Sequence, residues 1–195
     1  MKFDVVVAGV GGQGVVSLAA LAAEVARRSG FHVKQTEEHG MAQRGGSVAA
    51  QLRIDASPVR SELIPAGTAD LLLGMEPLET LRYLPMLSRD GAIVAAAEPV
   101  LNFDAYPPPE TILARLRTLP GCLVIEAERL AKEAGSAKVT NVVLLGAASR
   151  LFPMPPERFE ETLEAAFAVK GKKVLEANLT GFRLGREAGA CSRVS

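Results

Sequence analysis

The stretch Phe3 to Ser29, FDVVVAGVGGQGVVSLAALAAEVARRS, decides the fold. Phe3 to Ala8 is a short apolar run of the kind that forms a buried strand. Gly9-Val10-Gly11-Gly12-Gln13-Gly14 is a glycine-rich turn, and Val15 to Ser29 places apolar residues on most faces of a helix, with Gly30 free to take a left-handed cap. Strand, glycine loop and helix in that order make the opening unit of an α/β sheet. The loop then sits at the carboxyl end of its strand, where open sheets of this class keep their sites.

Working outward, Phe31 to Glu37 reads as the next strand and leads into a second glycine segment, Glu38-His39-Gly40-Met41-Ala42-Gln43-Arg44-Gly45-Gly46. The two loops are expected at the carboxyl ends of adjacent parallel strands. Beyond them, Val48, Ala50, Leu52 and Ile54 alternate with Ala49, Gln51, Arg53 and Asp55, which predicts a strand with one wet face. Ser57-Pro58 offers a turn into Val59 to Ile64, so an antiparallel hairpin is expected there. Buried-strand signals return at Asp70 to Met75, Gly91 to Ala96 and Gly121 to Glu126, separated by helical patterns at Pro77 to Leu87 and Pro109 to Leu119. Strands alternating with helices give the class α/β: a mostly parallel, Rossmann-like three-layer sheet with helices on both faces.

After Lys138 the strand signal fades and three C-terminal helices follow, Asn141 to Phe152, Pro156 to Val169 and Lys172 to Arg186. Phe159, Leu163 and Phe167 make an apolar stripe on the second, and Leu175, Leu179 and Phe182 on the third. Pro153-Met154-Pro155-Pro156 is too short for a domain linker. One domain over residues 1–188 is expected, with 189–195 as a frayed tail.

A chain of 195 residues buries roughly 70% of its unfolded surface around one core. Its 22 basic and 22 acidic residues balance, and no segment concentrates lysine and arginine, which argues against nucleic acid and anionic membrane as partners. Met1-Lys2-Phe3-Asp4 opens without a signal-peptide pattern and no stretch reads as a spanning helix, so a cytoplasmic protein is expected. Cys122 and Cys191 lack partners at metal-ligand spacing and read as reduced thiols.

Gly9, Gly11 and Gly14 fit the G-x-G-x-x-G dinucleotide fingerprint, and Glu37 and Glu38 fall near the position of a ribose-binding acid. That pattern supports a stand-alone, Rossmann-type nicotinamide- or flavin-binding oxidoreductase. The alternative is that the glycines only permit a tight turn and close helix–strand packing. A phosphate-binding P-loop is rejected, because Val15 and Val16 occupy the places of its lysine and hydroxyl residue. In the second loop, Gln43 and Arg44 before Gly45-Gly46 put an amide and a guanidinium on a backbone able to bend sharply. That suits a carboxylate, a phosphate or a partner's backbone, against the alternative of a plain exposed turn. His39 has only His32 as a fellow imidazole, so no triad or metal set supports it and a solvated or interface role is expected. Glu76 before Pro77 reads as a helix-start carboxylate, and Cys122 as core.

Gly9 to Gly14, Glu38 to Val48 and Asn141 to Gly146 together resemble the gamma-type subunit of the 2-oxoacid:ferredoxin oxidoreductases. The Gly-Met-Ala-Gln-Arg-Gly-Gly form is most similar to the beta subunit of indolepyruvate ferredoxin oxidoreductase. The likeness runs from Lys2 to about Gly185. It implies a subunit of an enzyme that oxidatively decarboxylates an aryl 2-oxoacid with CoA as co-substrate and passes electrons to ferredoxin. Thiamine diphosphate and the iron–sulfur clusters would belong to a large partner subunit. The chain fits this by omission, having no Gly-Asp-Gly thiamine-diphosphate opening and no Cys-x-x-Cys. The resemblance makes Gly9, Gly11, Gly12, Gln13, Gly14, Glu38, His39, Gln43, Arg44, Gly45 and Gly46 the candidate ligand or active-site-interface residues. It implies no catalytic residue and no metal ligand on this chain.

Overall fold

In a computed structural model, which describes residues 1–40 and 45–191, six strands form one sheet. They are β1 (Lys2–Val10), β2 (His32–His39), β3 (Ser47–Asp55), β4 (Ala69–Gly74), β5 (Leu87–Ala96) and β6 (Cys122–Ile125), ordered β2-β3-β1-β4-β5-β6. Strands β1, β4, β5 and β6 are parallel neighbours, while β3 runs antiparallel to both β1 and β2. Helices α1 (Val15–Arg28), α4 (Ala127–Glu133), α5 (Thr140–Ala148), α6 (Pro156–Phe167) and α7 (Lys172–Cys191) form one outer layer. Helices α2 (Pro77–Arg82) and α3 (Pro109–Arg117) form the other. Along β1 the period of two is strict: Val5 and Val7 join the core under the first layer, and Val6 and Ala8 the core under the second. Among the described residues no helix is long and apolar enough to cross a membrane.

Three expectations about the strands change. The glycine loops do not follow adjacent parallel strands, because β3 lies between β1 and β2. The antiparallel hairpin is β2–β3, closed through the second glycine loop, and residues 59–64 form no strand. Nor does β3 have a wet face: Gln51 is 7% exposed. Its polar residues hold the 56–68 segment instead. Gln51 Oε1 accepts from Ile64 N–H at 2.7 Å, and Arg53 Nη1 donates to the carbonyls of Ser61 and Leu63 at 3.3 and 3.0 Å. The segment pairs its backbone with these side chains rather than with a strand, and the bond from Gln51 satisfies the N–H of the buried Ile64, which would otherwise be orphaned.

The first helix after β4 stops at Arg82 rather than Leu87. Pro85 brings no N–H, and a 3₁₀ turn at Leu84–Met86 replaces the rest. In the C-terminal layer, Phe3, Phe152, Phe159 and Phe182 form a chain of rings with centroids 5.4 to 5.6 Å apart, tying α6 and α7 to β1. Such pairs contribute about 1 kcal/mol each beyond their buried area. Helix α7 passes the expected end at Arg186 and runs to Cys191, so the chain is still helical at 189–191 where a frayed tail was expected. The cause is its contact with α5: a Cβ at Gly185 would lie 2.0 Å from the Val143 carbonyl oxygen, and one at Gly189 2.3 Å from that of Ala147. Only glycine lets the two backbones meet this closely, and the contact continues to the last turn.

Candidate functional site

Strand β1 delivers the first loop to the carboxyl edge of the parallel strands. Beside it, Met75 N–H donates to the Ala8 carbonyl at 2.7 Å. The next rung of a regular parallel ladder would run from Val10 N–H to the Met75 carbonyl. The side-chain amide of Gln13 fills that rung instead. Val10 N–H donates to Gln13 Oε1 at 2.8 Å, and Gln13 Nε2 donates to the Met75 carbonyl at 2.9 Å. The amide holds the strand ends apart and fixes the loop. Gln13, expected among the ligand contacts, is therefore committed to the backbone.

The other candidates divide by what surrounds them. Gly9 is packed tight: a Cβ there would lie 2.8 Å from Gln13 Oε1, from Met75 Cβ and from Val15 Cγ2. Gly11 N–H donates to the Gly46 carbonyl at 2.9 Å and so joins the two loops. Gly12, at φ 101°, has open space around it. Gly14, at φ 89°, caps α1 without any side-chain hydrogen bond, and the Asn141 side chain rests on it. The helix N-terminus opens on a cleft of about 290 Å³ bordered by Gly11, Gly12, Gly14, Val16, His39 and Val48. Uncapped first-turn amides and the positive end of a 14-residue helix favour an anion at this position.

The second loop is clamped at both ends. Gly40 N–H donates to the Ser47 carbonyl at 2.9 Å, and Asn102 Nδ2 donates to the Gly45 carbonyl. Ser47 Oγ donates to Glu79 Oε2 at 2.6 Å, and Arg82 Nη1 to Glu79 Oε1 at 2.6 Å. Glu79 is 4% exposed, so its charge rests on these two donors. Glu76 starts α2 as expected: its Oε2 accepts from Glu79 N–H at 2.8 Å, and Tyr106 donates its hydroxyl to Oε1. Burial, then the Glu76 carboxylate, hold the Tyr106 hydroxyl well above the usual phenol range. Glu38 accepts from Gln51 Nε2 at 3.1 Å. His39 is exposed, with Nε2 3.3 Å from Glu37 Oε2, and lines the cleft.

Gln43 and Arg44, with Met41 and Ala42, lie outside the described residues. The clamp residues Glu79 and Asn102 carry no motif signal. Ser47 was legible only as the neighbour of the Gly-Gly pair.

The sheet order bears on the dinucleotide reading. A ribose-binding acid belongs at the end of the strand beside β1 and parallel to it. Here that neighbour is the antiparallel β3, and Glu37 and Glu38 lie one strand further out. Burial pushes the thiol of the half-buried Cys122 up to about 11, which leaves it a protonated, packed side chain. Among the described residues no three His, Cys, Asp or Glu side chains gather as metal ligands.

A Rossmann-like layer order, a β2–β3 hairpin inserted beside β1 and two joined glycine loops define the class. Residues 4–188 match the family described as pyruvate ferredoxin/flavodoxin oxidoreductase, and the chain belongs to that family. Within it, the chain is 34% identical over 202 residues to the indolepyruvate oxidoreductase subunit IorB of Archaeoglobus fulgidus, covering 100% of this chain and 99% of that one. It is 30% identical over 176 residues to the pyruvate/ketoisovalerate oxidoreductases common subunit gamma of Thermococcus kodakarensis, covering 86% and 90%. The fold recurs in pyruvate oxidoreductase subunit PORC of Thermotoga maritima, with TM-score 0.72 and 24% identity over 95% of this chain and 96% of that one. It also recurs in the 2-oxoglutarate:ferredoxin oxidoreductase of Magnetococcus marinus, solved with 2-oxoglutarate, coenzyme A and succinyl-CoA bound, with TM-score 0.78 and 24% identity. There the chain is covered completely but spans only 32% of the larger polypeptide.

Proposed function

We propose that this chain is the small subunit of a cytoplasmic indolepyruvate, or aryl 2-oxoacid, ferredoxin oxidoreductase, and that its two glycine loops complete the active site of a large catalytic subunit for CoA-dependent oxidative decarboxylation. The observation that carries the reading is the end-to-end match with IorB, 34% identical over essentially the whole of both chains. The geometry supports it, because Gly11 of the first loop donates to Gly46 of the second at one end of the sheet, and Gly12 beside that bond has open space around it. In this reading thiamine diphosphate and iron–sulfur clusters on the partner supply the carbanion stabilisation and the electron path to ferredoxin.

This chain's part is binding and orientation. The N-terminus of α1 and the open backbone at Gly12 receive a phosphate or carboxylate oxygen. Gln13 sets the loop's shape from behind, and Arg44 and Gln43 add a guanidinium and an amide from the second loop. CoA, with its phosphates, is the ligand whose chemistry suits this edge best.

Co-purification of the tagged chain from its native cells tests the proposal, followed by iron analysis and a ferredoxin-linked assay with indolepyruvate and CoA. An iron-rich large partner with CoA-dependent activity is expected. A lone, iron-free chain would overturn the subunit reading. In the assembled enzyme, Arg44→Ala should lower turnover while leaving assembly intact; unchanged turnover removes Arg44 from the site.

A further inference from the structure

A second, larger concavity lies on the helical layer, away from the glycine loops. It is a groove of about 690 Å³ with walls from α1, the turn at residues 135–139, the end of α6 and the start of α7. Its floor includes Leu21, Val139 and Phe167, and its rim carries Lys138, Lys170 and Lys173. The neighbouring lysines Lys132 and Lys172 pair with Glu128 and Glu176 at 3.6 and 3.7 Å. No carboxylate lies within ion-pair reach of the three rim lysines among the described residues. The acid that does line the groove, Glu24, is held by Arg27 and Arg28 at 2.8 and 2.7 Å, so it leaves the rim's charge uncancelled. Lys170 is further positioned by its ammonium lying 4.9 Å from the centre of the Phe167 ring.

We propose that this groove binds a small amphipathic anion, a carboxylate carried on an apolar body, with the body against Leu21, Val139 and Phe167 and the charge among the rim lysines. Both parts of that chemistry are present. The volume falls in the range of sites that bury a small molecule, and the three ammoniums are complementary to a negative head. The three ammoniums and the apolar patch lie together around one groove of about 690 Å³, a size that matches a compact ligand. The site touches the first glycine loop through one residue: Asn141 lines the groove and rests on Gly14. Occupancy of the groove is thereby placed beside the N-terminus of α1.

The test is calorimetric titration of the full chain, together with whatever partners purify with it, using octanoate as the probe and octanol and inorganic phosphate as controls. Octanoate is expected to bind, with both controls about fivefold weaker or more. Ala20→Phe fills the groove from an exposed wall position, and Lys138→Gln with Lys173→Gln removes two rim charges. Each should weaken octanoate about fivefold or more while leaving the melting temperature unchanged. Equal binding of octanol, no binding of octanoate, or variants that bind like the parent overturn the proposal. So does binding by the free chain that vanishes in the assembled complex, since the groove is then a face covered by protein.

Discussion

Replacing Gln13 with alanine separates a residue that shapes the site from one that touches its ligand. In the parent, the side-chain amide joins Val10 N–H, on a residue 3% exposed, to the carbonyl of Met75, on a residue 1% exposed. Alanine removes two hydrogen bonds of about 1 kcal/mol each and leaves a buried donor and acceptor unpaired, each costing about 1–3 kcal/mol. Partial closure of the strands, letting Val10 reach Met75 directly, recovers some of this. The net loss is about 2–4 kcal/mol, and a domain of this length loses roughly 2–4 °C in Tm per kcal/mol. Thermal and urea unfolding followed by far-ultraviolet circular dichroism measure it. Gln13→Met keeps the volume without the polar groups and should lose a similar amount. A variant within about 0.5 kcal/mol of the parent would refute the bridging role and return Gln13 to the ligand contacts.

Three further outcomes follow from the packing and the buried charges. Gly185→Ala places a methyl group 2.0 Å from the Val143 carbonyl oxygen, so α5 and α7 must part. Overpacking of about 3 kcal/mol outweighs the ~1 kcal/mol gained in helix propensity, and urea unfolding should show a net loss near 2 kcal/mol; unchanged stability contradicts the backbone contact. Ser47→Ala strips one of the two donors from the buried Glu79 carboxylate and should cost about 1.5–3 kcal/mol, with faster tryptic cleavage after Arg44; parent-like stability and cleavage would remove the clamp. Burial holds the Glu98 carboxyl above its ordinary value of 4.5, against a hydrogen bond from Glu128 N–H, and among the described residues its Oε2 has no partner. Protonation therefore favours the folded form: that stability is complete below 4.5 and is lost as pH rises through the raised value. Glu98→Gln should gain on the parent as pH rises from 4.5 through the raised value, and a stability difference that does not change with pH would contradict it.

The parts of this fold legible in the sequence are those set by local periodicity. Phe3 to Ala8 reads as a buried strand and Val15 to Ser29 as a helix because their apolar spacing is written within each segment. The role of β3 is written elsewhere. Gln51 and Arg53 alternate with apolar residues as they would beside water, and nothing local says that they bind the backbone of residues 61–64. The β-branched Val59 and Ile64 then suggest a strand that has no partner to pair with. At the site, the glycines announce tight turns, but a sequence does not distinguish an amide that points to a ligand from one that fills a missing ladder rung. Ser47, Glu79 and Asn102 meet only through tertiary folding, 32 and 57 residues from their partners. Glu76, by contrast, was readable from Pro77 alone, because a cap is a local device.

The clamp around the second glycine loop also bears on how this family diversifies. Gly40 is tied to Ser47, Ser47 to Glu79, and Gly45 to Asn102, so the chain is secured on both sides of residues 41–44 by bonds that none of those four residues makes. Every bond of this clamp is made by residues 40, 45, 47, 79 and 102, so an exchange at 41–44 removes none of the groups that form it. A library confined to these four residues would vary the candidate recognition segment while keeping all the groups of the clamp.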